Sequence, residues 1–122
     1  IRVLKLEPGY VYFHIRVSLI HINLDDPSHI PYEALSYTWN EYYPHENLNT
    51  KFGGYIIMDG HWMQVSRSLH HALCVLRRVD RARIIWADAL CINQKNNDEK
   101  KYQVGLMQLI YKRALHVMIW VG

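Results

Sequence analysis

The stretch that decides how this chain is built is IIWADALCINQ, residues 84–94. Its opening, Ile84 to Ala87, is apolar without a break. A strand with one wet face alternates polar and apolar residues. A continuous run suits a strand covered on both faces, as in a parallel sheet flanked by helices. The run stops at Asp88, and Cys91, Asn93 and Gln94 follow before the next helical pattern. In open α/β sheets, ligands bind outside the carboxyl ends of the strands. Asp88 therefore has two readings. It orients a ligand hydroxyl or base, with Asn93 and Gln94 as amide hydrogen-bonders, or it caps the loop while the amides bond backbone in a tight turn. Spacing alone leaves both open.

Downstream, residues 93–97 form a polar turn. Asp98 is placed to cap a helix from Glu99 to Ala114. Val104, Met107, Tyr111 and Ala114 form its inner stripe, widened by Leu106 and Ile110. His116 to Val121 reads as another buried strand. Upstream, Ser66 or Ser68 can cap a helix whose Leu69, Ala72, Leu73, Leu76 and Val79 follow helical spacing. The second half thus reads helix, strand, helix, strand, and two such strands joined through a helix form a right-handed parallel crossover. In the first half, Arg2–Leu6 and Tyr10–Leu24 read as a hairpin around the Pro8-Gly9 turn. Tyr32–Trp39 is a short buried strand, and residues 40–54, with Gly53-Gly54, are a long polar loop. Tyr55–Met58 and Trp62–Val65 flank the hairpin signal Asp59-Gly60. The expected fold is α/β, a parallel sheet core with helices, decorated by N-terminal antiparallel hairpin ribbons.

The 122 residues allow one domain, and a composition of 50% hydrophobic and 20% charged residues excludes disorder as the main state. The best apolar stretch, Ala114 to Val121, is interrupted by His116 and falls far short of the ~20 residues of a membrane helix. No membrane partner is expected, and no stretch has the make-up of a signal peptide. Two cysteines, Cys74 and Cys91, make no disulfide framework, so a reducing, cytoplasmic setting is expected. The first methionine is Met58, and the chain closes at Gly122 straight after an apolar run, so a piece of a longer protein is expected. The net charge of +3 is uneven. Residues 1–61 carry 4 basic and 7 acidic side chains, residues 62–122 carry 10 and 4. Arg67, Arg77, Arg78, Arg81 and Arg83 supply much of the excess. They read as a solvated helix face and turn, without the aromatic interleaving of a nucleic-acid surface. Arg77 and Arg78 are nevertheless candidates for a protein contact.

Cys91 would need a nearby base to become a nucleophile, and none is readable, so a packing thiol is expected. His70 and Cys74 share a helical face, but two ligands make no metal site. No phosphate loop, dinucleotide fingerprint or nucleophile elbow is present, and no cofactor is expected. Trp39, Trp62, Trp86 and Trp120 read as core anchors.

The blocks YEALSYTWN (32–40), DGHWMQVSRSLHHALCVLR (59–77), IIWADALCINQ (84–94), EKKYQVGLMQLIYKRA (99–114) and VMIWVG (117–122) resemble the heterokaryon incompatibility (HET) domain of filamentous fungi. Their order and spacing match along nearly the whole chain. One departure is Asn40, where the family usually has Gly; Asn tolerates left-handed backbone angles, so the turn can survive. The resemblance implies an intracellular effector of cell death in nonself recognition, working by protein contact or self-association. It singles out Ser36, Tyr37, Trp39, Asp88, Cys91, Asn93 and Gln94 as family-motif or ligand-binding residues. The family is also remotely similar to TIR domains, with a flavodoxin-like parallel sheet, some of which cleave NAD. Under that comparison NAD is a substrate, Trp39 or Tyr37 stacks on it, and Asp88, Asn93 and Gln94 orient it. The catalytic Glu would then fall beyond Gly122, while Glu99 serves its helix start.

Overall fold

A computed structural model of the chain describes residues 1–37, 54–91 and 97–120. Its strands are β1 (Arg2–Leu6), β2 (Ile15–His21), β3 (Glu33–Tyr37), β4 (Gly54–Met58), β5 (His61–Val65), β6 (Arg83–Ala87) and β7 (His116–Trp120). The helices are α1 (Arg67–Leu76), the single turn α2 (Asp88–Cys91) and α3 (Asn97–Arg113). All seven strands join one mixed sheet in the order β5-β4-β2-β1-β6-β3-β7.

Local chemistry explains most element ends. Asp59 and Gly60 take φ values of 49° and 83°, the left-handed pair that a two-residue hairpin turn needs. Ser66, not Ser68, caps α1: its Oγ accepts from the Leu69 N–H at 3.2 Å, while Ser68 is buried inside the helix. α1 stops at Leu76, one turn before Val79, which is 58% exposed. The Arg78 carbonyl there accepts from the Gly9 N–H, so the helix exit is tied to the N-terminal turn. Residues 10–14, expected as strand, lie outside the sheet, their carbonyls bonded by Arg77, and β2 starts at Ile15. α3 starts at Asn97, so Asp98 lies inside it rather than capping it. Gly54 belongs to β4 rather than to a turn.

The sheet differs from the expected one in neighbours rather than in strands. The N-terminal hairpin does not decorate the sheet. β1 lies inside it, antiparallel to both β2 and β6. β3 inserts between β6 and β7 and is parallel to each, so the two strands joined through α3 are parallel but not adjacent. β2 and β4 are also parallel. Alternation and apolar runs say that a strand is buried, not which strand it pairs with. β7 is one of the two outer strands of the sheet, with Val117 48% and Ile119 75% exposed, so the expectation of a buried strand fails there.

Register fixes two faces. Trp86 pairs with Ala34, which pairs with Val117, and Trp86 meets Tyr111 of α3 edge-on at 5.6 Å. Trp120 lies on the opposite face, where it meets His71 of α1 at 5.1 Å. α1 and α3 therefore cover opposite faces. Trp86, Leu4, Leu6, Ile56, Leu69, Leu73 and Ile85 are at most 1% exposed and dominate the core. Trp62 is 59% exposed and Trp120 half-buried, so of the described tryptophans only Trp86 is a full core anchor.

Candidate functional site

Because β6, β3 and β7 are parallel, their carboxyl ends share one edge of the sheet. Ser36 and Tyr37 end β3 there, Asp88 follows β6, and Trp120 ends β7. β1 runs the other way, so its first residue, Arg2, arrives at the same edge. α3 brings Tyr111 beneath it, against Trp86.

Three groups define the electrostatics. Burial pushes the Tyr111 phenol above its ordinary value, and the Asp88 carboxylate adds to that shift, while a hydrogen bond with Ser36 opposes it. Tyr111 thus lies within reach of both Ser36 and Asp88. Arg2 donates from Nε to the Cys91 carbonyl at 3.2 Å, which ties β1 to α2 beside Asp88. Cys91 itself is fully buried. Its Sγ accepts from the Ala87 N–H at 3.3 Å, and burial pushes its thiol up to about 12. Such a thiol stays protonated at neutral pH and is no nucleophile. The bend from β6 into α2 is therefore built around a packing cysteine, as its apolar neighbours suggest.

The edge accordingly carries a carboxylate, two hydroxyls and a guanidinium around a buried indole. Among the described residues, the Trp86 indole N–H has no hydrogen-bond partner, although Trp86 is fully buried. These groups can hold a hydroxylated or polar ligand by hydrogen bonds. Trp39, Asn40, Asn93 and Gln94 lie outside the described residues, and so does the loop from 40 to 53.

The other expected positions separate. Arg77 is committed to backbone: Nη2 donates to the Tyr10 carbonyl at 2.6 Å, and Nη1 to those of Phe13 at 2.8 Å and His14 at 3.3 Å. Arg78 lines a cleft at the opposite edge of the sheet. Cys74 Sγ lies 3.7 Å from His70 Nδ1, and burial, Arg77 and His71 lower the His70 pKa. Among the described residues, no three His, Cys, Asp or Glu side chains could hold a metal ion. No described helix is long and apolar enough to cross a membrane.

Sequence reasoning missed Arg2 and took Tyr111 only for part of a packing stripe. A tyrosine on an inner stripe signals more than packing, since its hydroxyl needs a partner once buried. Arg2 carried no signal, because its position depends on the β1–β6 pairing.

The family model described as heterokaryon incompatibility protein (HET) matches residues 32–122, from just before β3 onward. Along its whole length the chain is 32% identical, over 130 residues, to heterokaryon incompatibility protein 6, OR allele, of Neurospora crassa. It spans 18% of that protein's length. No solved structure matches the chain.

Proposed function

The chain belongs to the heterokaryon incompatibility (HET) family, and from that premise we propose that it is an effector domain of fungal vegetative incompatibility. In this reading it acts inside the cell and triggers death on nonself recognition, by assembling copies of itself into a signalling complex.

The observation that carries the assembly reading is the turn Tyr10–Phe13. Tyr10, Val11, Tyr12 and Phe13 are 61%, 80%, 94% and 61% exposed. Single exposed apolar residues are ordinary, but four in a row form a patch that favours contact. The turn is also held in shape. Arg77 ties down its carbonyls, the Phe13 N–H bonds the Tyr10 carbonyl at 2.9 Å, and the two rings meet edge-on at 5.7 Å. A pre-shaped aromatic turn loses little freedom on docking, and aromatic anchors carry much of the energy of protein contacts. Arg77 thus serves the contact surface by shaping it. Sedimentation of the intact protein over a range of concentrations tests this. Val11→Ser with Tyr12→Ser is expected to weaken self-association about tenfold or more without lowering the melting temperature. Unchanged association in that variant rejects the turn as the contact.

The edge at Asp88 favours a second reading, a TIR-like enzyme that cleaves NAD. Asp88, Ser36 and Tyr111 would hold ribose hydroxyls, and the catalytic carboxylate would come from beyond Gly122. A carboxylate near an oxocarbenium-like sugar stabilises its charge. This reading expects the intact protein to consume NAD and Asp88→Asn to fold normally while losing turnover. NAD consumption undiminished in Asp88→Asn removes Asp88 from that role.

A further inference from the structure

At the amino ends of β3 and β6, opposite the Asp88 edge, lies a cleft of about 160 Å³. Arg78, Arg81 and Arg83 line it together with Glu33, and Pro31 and Leu115 form apolar walls. Arg83 is fully used. It donates to both Glu33 carboxylate oxygens at 2.7 and 3.0 Å and to the Leu76 carbonyl at 3.1 Å. This fork neutralises the one carboxylate lining the cleft. Arg78 and Arg81 line the cleft as well, and the Arg78 charge also helps to hold the Glu33 carboxyl low. Two further arginines therefore line one small concavity beside the Arg83–Glu33 ion pair.

We propose that this cleft binds a phosphate dianion through Arg78 and Arg81. A guanidinium presents its N–H groups in a planar fork that matches the oxygens of a phosphate, and two forks match a doubly charged oxyanion better than a single carboxylate. The volume is well below the ~300 Å³ at which organic ligand pockets begin, so the cleft takes an anionic group rather than a whole organic cofactor. The Arg83–Glu33 pair gives it a rigid floor. The site is separate from the Asp88 edge and does not depend on the function proposed above.

The test is calorimetric titration of the intact protein with three probes, inorganic phosphate, glycerol phosphate and a poly-glutamate peptide. The double variant Arg78→Gln/Arg81→Gln serves as comparison, and Lys112→Gln, on the exposed side of α3, as charge control. The proposal expects saturable phosphate binding that weakens about tenfold or more in the double variant and is unchanged in the control. Tighter binding of glycerol phosphate assigns the site to an organic phosphomonoester; equal binding assigns it to the free ion. Absent phosphate binding overturns the proposal, as does binding that the double variant leaves intact. Saturable binding of a poly-glutamate peptide without phosphate binding also overturns it and points to an acidic protein partner instead. Melting curves of both variants confirm that each is folded.

Discussion

Cys91 shows how one residue's surroundings decide its chemistry. It sits three residues after Asp88, in the polar stretch that follows β6, yet its thiol is buried and raised to about 12. Alkylation of the folded protein at neutral pH is therefore expected to modify the half-buried Cys74 first and to reach Cys91 only on unfolding. Peptide mass spectrometry along a time course reads the order, and early labelling of Cys91 contradicts it. Glu33 makes the matching case for charge. The hydrogen bonds from Arg83 hold its carboxyl below the ordinary value of 4.5, outweighing the opposite pull of burial. A carboxylate with a depressed folded pKa stabilises above its unfolded value, and that stability is lost as pH falls through the folded value. Both side chains of the pair are under a fifth exposed. Glu33→Gln should thus cost about 1.5–3 kcal/mol near neutral pH. The gap from the unmutated protein should close as pH drops below 4.5. Denaturation at several pH values measures this, and a gap that stays constant down to low pH refutes the assignment.

Among elements, α1 comes close against β4. A side chain at position 54 would run into the His70 ring and come within 2.8 Å of His70 Cβ. α1 can approach the sheet there only because position 54 has no side chain. Gly54→Ala is expected to lower stability by about 1–3 kcal/mol as His70 is displaced, and chemical denaturation checks it. A neutral or stabilising Gly54→Ala would show that His70 moves away freely. The same position shows where sequence reading stops. Gly53-Gly54 looked like turn chemistry, since glycine marks both turns and close approaches, and only the partner helix tells them apart. The Asp59-Gly60 hairpin and a serine cap at 66 or 68 were legible because their causes lie within four residues, and the helix geometry then picks Ser66. Strand neighbours were not. Leu4 and Leu6 announce a buried β1, but any apolar strand could lie beside it.

At the scale of the whole molecule, five strands point one way and gather Ser36, Asp88 and Trp120 on one edge, with Arg78 and Arg81 at the other. The place of Asp88 just past the end of β6 was legible because a strand end followed by polar residues is a local pattern. Its neighbours Arg2 and Tyr111 were not, because they arrive through a strand pairing and a helix docking. The contact turn Tyr10–Phe13 was also hidden, because its residues pass for strand until Arg77 is seen to hold them off the sheet. These regions separate the contact account from the enzymatic one. The most direct measurement is the viability of fungal cells induced to express the intact protein, compared with Val11→Ser/Tyr12→Ser and with Asp88→Asn at matched protein levels. The contact account predicts that the turn variant spares the cells while Asp88→Asn still kills them. Death in the turn variant together with survival in a folded Asp88→Asn would contradict it.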